Sequence, residues 1–323
     1  MFENALLSAA LRQMLILGIF VGVGFVAAKA RVLPTDANKT LSKLETYVFI
    51  PALVMGTLME SFTMDKINQA WKLLLFSLAI EVVVLPLSLL FARSCSKDNY
   101  DRNVIAYGLA FSNFGFMGNA VVSAVFPSDY FAQYLIFTLP LWVIIYGWAV
   151  PAWLIPKEEN KSGIAGRLKT VFNPMFVGAI IGIVLGLTGL HTKLPESVGA
   201  VFTSIVKTTG DCMSPIAMIL TGITVATIDM KKALRAWNIY AVTALRLIVF
   251  PLVGLGIFAL LPLPEVFTVC AVCTLSMPLG LSPVVIPAGY GKDTSKAAAM
   301  TLVSHLASMI TIPLLFVLLQ KII

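Results

Sequence analysis

The sequence predicts an all-α polytopic membrane protein with ten transmembrane helices in two inverted five-helix repeats. The 323-residue chain is 59% hydrophobic and 12% charged, whereas soluble domains are about half apolar and a quarter charged. Apolar stretches of about 20 residues recur, long enough to cross a bilayer as helices. The two halves of the chain also resemble each other. Because each copy has five spans, an odd number, the second copy must enter the membrane from the opposite side.

Each predicted helix is an apolar run bounded by polar or helix-breaking residues. We expect the first run to be a retained helix, because it lacks the basic start of a signal peptide and is too long for one. The repeats occupy residues 1–155 and 171–323, and a polar loop at 156–170 joins them on the cytoplasmic side. The predicted spans are 6–28, 40–59, 71–92, 104–126, 130–153, 171–190, 199–226, 234–261, 266–288 and 296–319.

The internal repeat is marked by prolines and tryptophans that recur in the same order. Their separation is about 161 residues at the start of the copies and settles near 165. Duplicated membrane proteins of this kind are typically transporters, in which two related halves move around one central site. The matched landmarks are Pro34 with Pro195, Pro51 with Pro215, Trp71 with Trp237, and Pro86 with Pro251.

The net charge of +7 is unevenly distributed along the chain. With the N-terminus outside, the inner loops carry sixteen of the 23 basic residues and the outer side carries five. The positive-inside rule then predicts that both termini are extracytoplasmic. We expect the protein in the cell (inner) membrane. Nucleic-acid binding is not indicated, because no folded basic domain carries the charge.

Other protein classes lack their usual signals. Four cysteines do not make a disulfide framework, and Cys270 and Cys273 lie in an apolar helix without a second ligand pair, so no metal or other cofactor is expected. An embedded enzyme would need a constellation such as HExxH, GxSxG or paired aspartates in facing spans, and the sequence has none. A channel would need a ring of like charges or a filter built by subunits. A secondary transporter is the favoured class.

The fourth and ninth spans are interrupted at corresponding places in the two repeats. The fourth contains glycines and asparagines, which weaken a helix, and the ninth contains two prolines and a glycine, which remove backbone hydrogen bonds. Paired interruptions at mid-membrane indicate a transporter's binding site; the alternative is a pair of ordinary kinked helices. The predicted substrate-binding residues are Asn113, Gly115, Gly118, Asn119, Ser276, Pro278, Gly280 and Ser282.

The second half of each broken span is predicted to begin with a capping residue. Ser282 followed by Pro283 is typical of an N-cap with proline at the first helical position. Asn119 is predicted to play the same part in the fourth span. Two helix N-termini would then point to the membrane centre, where their free N–H groups favour an anion such as a carboxylate.

Ionisable residues inside the predicted spans are candidates for ion or proton coupling, or for support of the substrate site, because a charge at a helix centre costs roughly 2.5–3.5 kcal/mol. Glu81 and Arg246 occupy equivalent repeat positions with opposite charges. They are expected to form either a structural salt bridge or a support for the substrate site. Lys207 and Asp211 share a helical face, as either a local ion pair or a proton path. His305 lies mid-span, as either a neutral buried residue or a proton carrier. It belongs to a polar stripe of Thr301, Ser304, His305, Ser308 and Thr311.

The chain resembles the auxin efflux carrier family of bacterial, fungal and plant transporters, which includes the plant PIN proteins. The resemblance covers essentially the whole chain. In the plant carriers both crossing helices carry proline, whereas here the fourth span has only glycine and asparagine. The matching parts are 44–53 (LETYVFIPAL), 113–118 (NFGFMG) and 215–222 (PIAMILTG).

This resemblance implies a scaffold of helices 1, 2, 6 and 7. It implies a transport domain of helices 3–5 and 8–10, in which the fourth and ninth helices are broken and cross. It also implies a small organic anion as substrate and a homodimer formed through the scaffold. We expect alternating-access transport coupled to protons. The proton would be carried by Asp211, by His305 or by the substrate's own carboxylate. The alternative is a sodium-coupled organic-anion symporter resembling the bile-acid symporters.

Overall fold

A computed structural model describes residues 2–34, 36–155, 174–227 and 235–323, and helices dominate them. The predicted linker at 156–170 lies outside the described residues, as do Lys231 and Lys232 of a predicted inner loop. Helix is present within each of the ten predicted intervals. The α-helices are α1 Phe2–Lys29, α2 Ala37–Leu44, α3 Ile50–Ser61, α4 Met64–Cys95, α5 Asn99–Ala110, α6 Asn119–Val125, α7 Ser128–Ile144, α8 Pro174–Thr188, α9 Glu196–Asp211, α10 Met213–Thr227, α11 Trp237–Ala244, α12 Phe250–Leu260, α13 Glu265–Ser276, α14 Ser282–Gly289 and α15 Ser295–Gln320.

Seven helical stretches of the described residues are long and apolar enough to cross a membrane, and two shorter apolar helices accompany them. Large apolar side chains such as Ile19, Val82 and Ile310 are 63%, 71% and 67% exposed. Side chains of this kind face lipid in a membrane, whereas a soluble protein would bury them. The chain is therefore a multi-pass membrane protein. The seven stretches are Leu11–Lys29, Ala37–Glu60, Trp71–Cys95, Asp129–Leu154, Glu196–Ala226, Trp237–Leu260 and Ser295–Gln320.

Two of the long helices contain a π-helical turn directly before a proline. Glu45–Phe49 joins α2 to α3, where Pro51 follows Ile50, and Leu245–Val249 joins α11 to α12, where Pro251 follows Phe250. Proline has no N–H to donate, and its ring clashes with the carbonyl four residues earlier, so the chain widens locally. Each turn holds a buried ionisable side chain, Glu45 in the first and Arg246 in the second.

One group of helices is assembled through close backbone contacts at glycines. Helix α1 packs along α10, and α3 packs along α8. A Cβ atom at Gly24 would lie 2.0 Å from the carbonyl oxygen of Ile219, and a Cβ at Gly222 would lie 2.0 Å from that of Val21. Only glycine permits this distance between helices, as in other membrane helix pairs built on small residues. Helices α5, α13 and α14 lie in a second, more deeply buried group with α4, α7 and α15.

Candidate functional site: the crossing of the two broken helices

The interruptions of the fourth and ninth spans lie directly against each other. The backbone N–H of Asn113 donates to the carbonyl oxygen of Pro278 at 2.8 Å. Ser112 and Leu279 form an isolated antiparallel bridge, and the Ser112 hydroxyl donates to the Thr274 carbonyl at 2.7 Å. Irregular backbone in a membrane needs such internal partners, because lipid supplies none. The two breaks therefore satisfy part of each other's hydrogen bonding.

Glycines allow this close approach. A Cβ atom at Gly280 would lie 3.2 Å from the carbonyl oxygen of Phe111, and a Cβ at Gly118 would lie 2.2 Å from the Tyr134 hydroxyl. That hydroxyl donates to the Phe114 carbonyl at 3.0 Å. Packing therefore opposes a side chain at Gly118 and leaves little room for one at Gly280. Tyr134 is a supporting residue that the sequence reasoning missed.

Arg246 holds the carboxyl ends of both first half-helices. Its Nη1 donates to the Leu109 carbonyl at 2.8 Å, its Nη2 to the Thr274 carbonyl at 2.9 Å, and its Nε to the Met277 carbonyl at 3.1 Å. The last turns of α5 and α13 leave carbonyl groups without intrahelical donors, and a cation at that end also opposes the helix dipole. The guanidinium group serves both needs at once.

Glu81 and Arg246 line the same small internal cavity, together with Ser112 and Thr274. No ion pair between the two side chains is present in the described structure, and Glu81 Oε1 is buried without a hydrogen-bond partner there. Arg246 instead directs its donors to backbone carbonyls. Glu81 and Arg246, which occupy equivalent repeat positions in the sequence, therefore lie around one cavity beside the two breaks.

The capping residues differ from those predicted. The N-cap of α14 is Leu281, whose carbonyl accepts from the N–H groups of Val284 and Val285, while Ser282 is the first helical residue. In the fourth span a π-helical turn, Phe114–Gly118, precedes α6, and its N-cap is Asn113. Asn119 lies more than one turn inside that second half. Both half-helices begin at the crossing, but backbone carbonyls rather than the predicted side chains make the first helical bonds.

Asn113 also connects the crossing to α15. Its Nδ2 lies 3.1 Å from His305 Nε2, and His305 Nδ1 lies 2.7 Å from the Thr301 carbonyl. Because a carbonyl only accepts, Nδ1 carries the proton, and Nε2 then accepts from the Asn113 amide. Ser304 of the same polar stripe accepts from the N–H of Leu279 at 3.3 Å. The stripe therefore faces protein at the breaks.

A cavity of about 500 Å³ lies beside the crossing, between the group that contains α1, α3, α9 and α10 and the group that contains α6 and α7. Of the predicted site residues, Gly115, Asn119, Lys207 and Asp211 line it. The other predicted site residues do not line this cavity. They lie at the contact between the two breaks or around it, and they are Asn113, Gly118, Ser276, Pro278, Gly280, Ser282, Glu81, Arg246 and His305.

The cavity combines apolar walls with polar groups that suit a small polar ligand. Asn119 Oδ1 and Ser214 Oγ have no hydrogen-bond partner in the described structure. Lys207 supplies a positive charge, and Glu60 and Asp211 supply negative ones. Buried polar atoms normally have partners, whereas these two oxygens are covered by protein in this conformation and make no hydrogen bond within the described structure. Among the described residues, no three His, Cys, Asp or Glu side chains are grouped as metal ligands.

Glu45 and the cavity residue Glu60 are ionisable residues that were not among the predicted site residues. Glu45 is the buried one of the two. It is 0% exposed in the π-helical turn between α2 and α3. The sequence signal was present, because Glu45 stands inside the second predicted span a few residues before Pro51.

Comparison with known proteins identifies the family of this chain. The family profile described as "Membrane transport protein" matches residues 9–164 and 160–316. An uncharacterized transporter of Methanothermobacter thermautotrophicus is 21% identical over 296 residues, covering 92% of this chain and 94% of that protein. Protein PIN-LIKES 1 of Arabidopsis thaliana is 23% identical over 293 residues, covering 74% of this chain and 62% of that longer protein. The chain belongs to the membrane transport proteins of the auxin efflux carrier family.

Proposed function

We propose that the protein is a secondary active transporter of a small organic anion, such as a carboxylate, that works by alternating access and is driven by the proton gradient. The observation that carries the proposal is the meeting of two helix breaks, joined by the Asn113–Pro278 hydrogen bond, beside a cavity large enough for a small metabolite. Interrupted helices that meet inside a membrane protein are typical of transporter binding sites.

The chemistry of the cavity supports an anion. The charged side chains of the cavity are one cation, Lys207, and two acids, Glu60 and Asp211. We therefore assign the anion to Lys207 and to the second half-helix that begins at Phe114, which carries the cavity residues Gly115 and Asn119. N–H groups in the first turn of a helix favour negative charge. Apolar residues such as Leu53 and Phe131 would contact the carbon skeleton of the substrate.

The arrangement of the cavity supports relative motion of two domains. We propose ten transmembrane helices in two inverted repeats, 1–155 and 171–323, joined by a cytoplasmic linker. Spans 1, 2, 6 and 7 would form the scaffold and a homodimer contact, and spans 3–5 and 8–10 would form the transport domain. Helices assigned to both domains line the cavity, so an elevator-like or rocking motion of one against the other would change its access. Both termini are then extracytoplasmic in the cell (inner) membrane.

Ligand binding is tested first with purified protein. Malate, malonate and indole-3-acetate, three chemically different carboxylates, are compared for thermal stabilisation. We expect at least one to raise the melting temperature and expect Asn119→Leu and Lys207→Met to abolish that shift. Lys193→Met, an exposed lysine outside the cavity, is the matched control and should keep it. Equal stabilisation of all variants would place the ligand elsewhere.

Coupling is tested in proteoliposomes with the carboxylate that stabilises the protein. Uptake should respond to an imposed pH gradient in the complete absence of sodium. Strict dependence on a sodium gradient, with no response to pH, would replace the proton by sodium and favour the symporter alternative. Uptake that follows neither gradient would contradict secondary active transport by this mechanism.

A further inference from the structure

The carboxyl group of Glu45 is sealed inside the protein without a partner. The residue is 0% exposed, and neither Oε1 nor Oε2 has a hydrogen-bond partner in the described structure. An isolated carboxylate in such a place is strongly disfavoured, whereas its protonated form is tolerated. A single-turn π-helix is frequently found at functional positions, and Glu45 begins one.

Glu45 lies where the proposed scaffold contacts the second half of the broken ninth span. Its π-helical turn packs against α14 as well as against α8, α9 and α10. One turn earlier, the Ser42 hydroxyl donates to the Val285 carbonyl of α14, and a Cβ atom at Gly289 would lie 3.1 Å from Ser42 Oγ. The face that carries Glu45 is therefore closed by a helix of the proposed transport domain.

The next residue along the chain lines a route toward the surface. Thr46 lines a second cavity of about 330 Å³ between α2 and the end of α14. The exposed residues Lys39 and Lys43 line this cavity, so it is both accessible and positively charged. Its other lining residues are Lys39, Lys43, Tyr47, Ile286, Gly289 and Tyr290.

The remaining ionisable groups near Glu45 are phenols or belong to another cavity. Tyr146 interacts electrostatically with Glu45 and with Tyr107. On α9, which also packs against this turn, Lys207 and Asp211 line the 500 Å³ cavity instead. Among the described residues, no cation forms a salt bridge with Glu45. A bound proton is therefore the simplest way to neutralise the group in this conformation.

We propose that Glu45 is a proton-binding site of the transport cycle, protonated while α14 seals it and ionised when α14 withdraws and opens it to the lysine-lined cavity. In the release step the carboxyl O–H bond breaks and the proton passes to water. Rebinding a proton restores the neutral group, which allows the interface to close again. Proton binding by Glu45 is independent of the substrate, but its role in coupling rests on the function proposed above.

The first test measures protonation without any substrate. Infrared spectroscopy of purified protein should show the carbonyl stretch of a protonated, buried carboxyl group, and Glu45→Gln should remove that band. Glu81→Gln assigns the contribution of the other buried glutamate. Glu196→Gln, an exposed carboxyl group on the first turn of α9, is the control and should leave the band unchanged. A spectrum of Glu45→Gln identical to that of the wild type would overturn the proposal.

The second test measures coupling in proteoliposomes with the stabilising carboxylate. Glu45→Gln should abolish acceleration of uptake by a pH gradient, and its thermal unfolding should show that it folds. An undiminished response to the pH gradient would overturn the coupling role. If the wild-type protein transports none of the carboxylates, the function proposed above fails, and the infrared result still decides whether Glu45 binds a proton.

Discussion

The backbone N–H of Asn113 donates to the carbonyl oxygen of Pro278, which lies 165 residues further along the chain, at 2.8 Å. That separation equals the offset between the sequence repeats, so the bond joins equivalent positions of the two copies. Arg246 strengthens the same junction by binding the carbonyls of Leu109, Thr274 and Met277. The crossing is therefore a single hydrogen-bonded unit.

Replacing Arg246 with lysine should destabilise the protein. A lysine ammonium is a compact charge that cannot reproduce the planar guanidinium fork, so at least one of three buried carbonyls loses its donor. At roughly 1–3 kcal/mol for each unsatisfied group, we expect a clear fall in melting temperature and loss of transport. Arg235→Lys, at an exposed position, is the control. A melting temperature equal to that of the wild type would show that the three carbonyls do not depend on Arg246.

Glu81 and Arg246 should be energetically coupled although they form no ion pair. Both side chains line one small buried cavity, so a change in one alters the surroundings of the other. In a double-mutant cycle with Glu81→Gln and Arg246→Lys, the effect of the double variant on transport rate and on melting temperature should differ from the sum of the two single effects. A double effect equal to that sum would argue against direct coupling.

Gly118→Ala should be destabilising because its Cβ atom would lie 2.2 Å from the Tyr134 hydroxyl. Overpacking of this kind costs about 1–3 kcal/mol. Tyr134→Phe removes that oxygen, so Gly118→Ala should cost less in the Tyr134→Phe background than in the wild type. Thermal unfolding of the wild type, the two single variants and the double variant measures the difference in cost. An equal cost in both backgrounds would mean that the clash is relieved in another way.

The proposed topology places the loops after α4 and α8 on opposite sides of the membrane. Single cysteines at exposed Lys97 and Lys193, in a background without the four native cysteines, should react with a membrane-impermeant thiol reagent from opposite faces. We expect Lys97→Cys to be labelled from the cytoplasmic side and Lys193→Cys from outside. Labelling of both from the same face would contradict the inverted ten-span arrangement.

Asp293 should stabilise the start of α15 in a pH-dependent way. It accepts a hydrogen bond from the N–H of Ser295 at 2.9 Å, and bonds from Ser295 lower the pKa of Asp293 below its ordinary 3.8. A lowered folded-state pKa means that the contribution is complete above about pH 4 and is lost as the pH falls through the folded pKa. Asp293→Ala should cost about 0.5–1 kcal/mol near neutral pH and less in acid, measured by thermal unfolding. A cost that stays constant with pH would exclude the charged form as the cause.

Much of the fold was predictable because its signals are local. An apolar run of membrane-spanning length can be read from neighbouring residues, and so can a proline or glycine that interrupts it, as in 111–119 and 276–283. Helices occur within each predicted interval, and the breaks occur where predicted. The capping residues were wrong, because side-chain preference at Ser282 and Asn119 was outweighed by the backbone geometry that the crossing imposes.

The sequence by itself determined that this is a membrane protein of the auxin efflux carrier type, with two interrupted helices at equivalent places. Only the tertiary structure decided that Arg246 binds the carboxyl ends of both first half-helices, that Asn113 bonds to His305, and that Glu45 is fully buried in a turn that packs against α14. The physical reason is distance along the chain. Length, hydropathy and helix breaking are properties of adjacent residues. The contacts of Arg246 with Leu109, of Asn113 with His305 and of the Glu45 turn with α14 join residues more than 130 positions apart and exist only once the helices have packed.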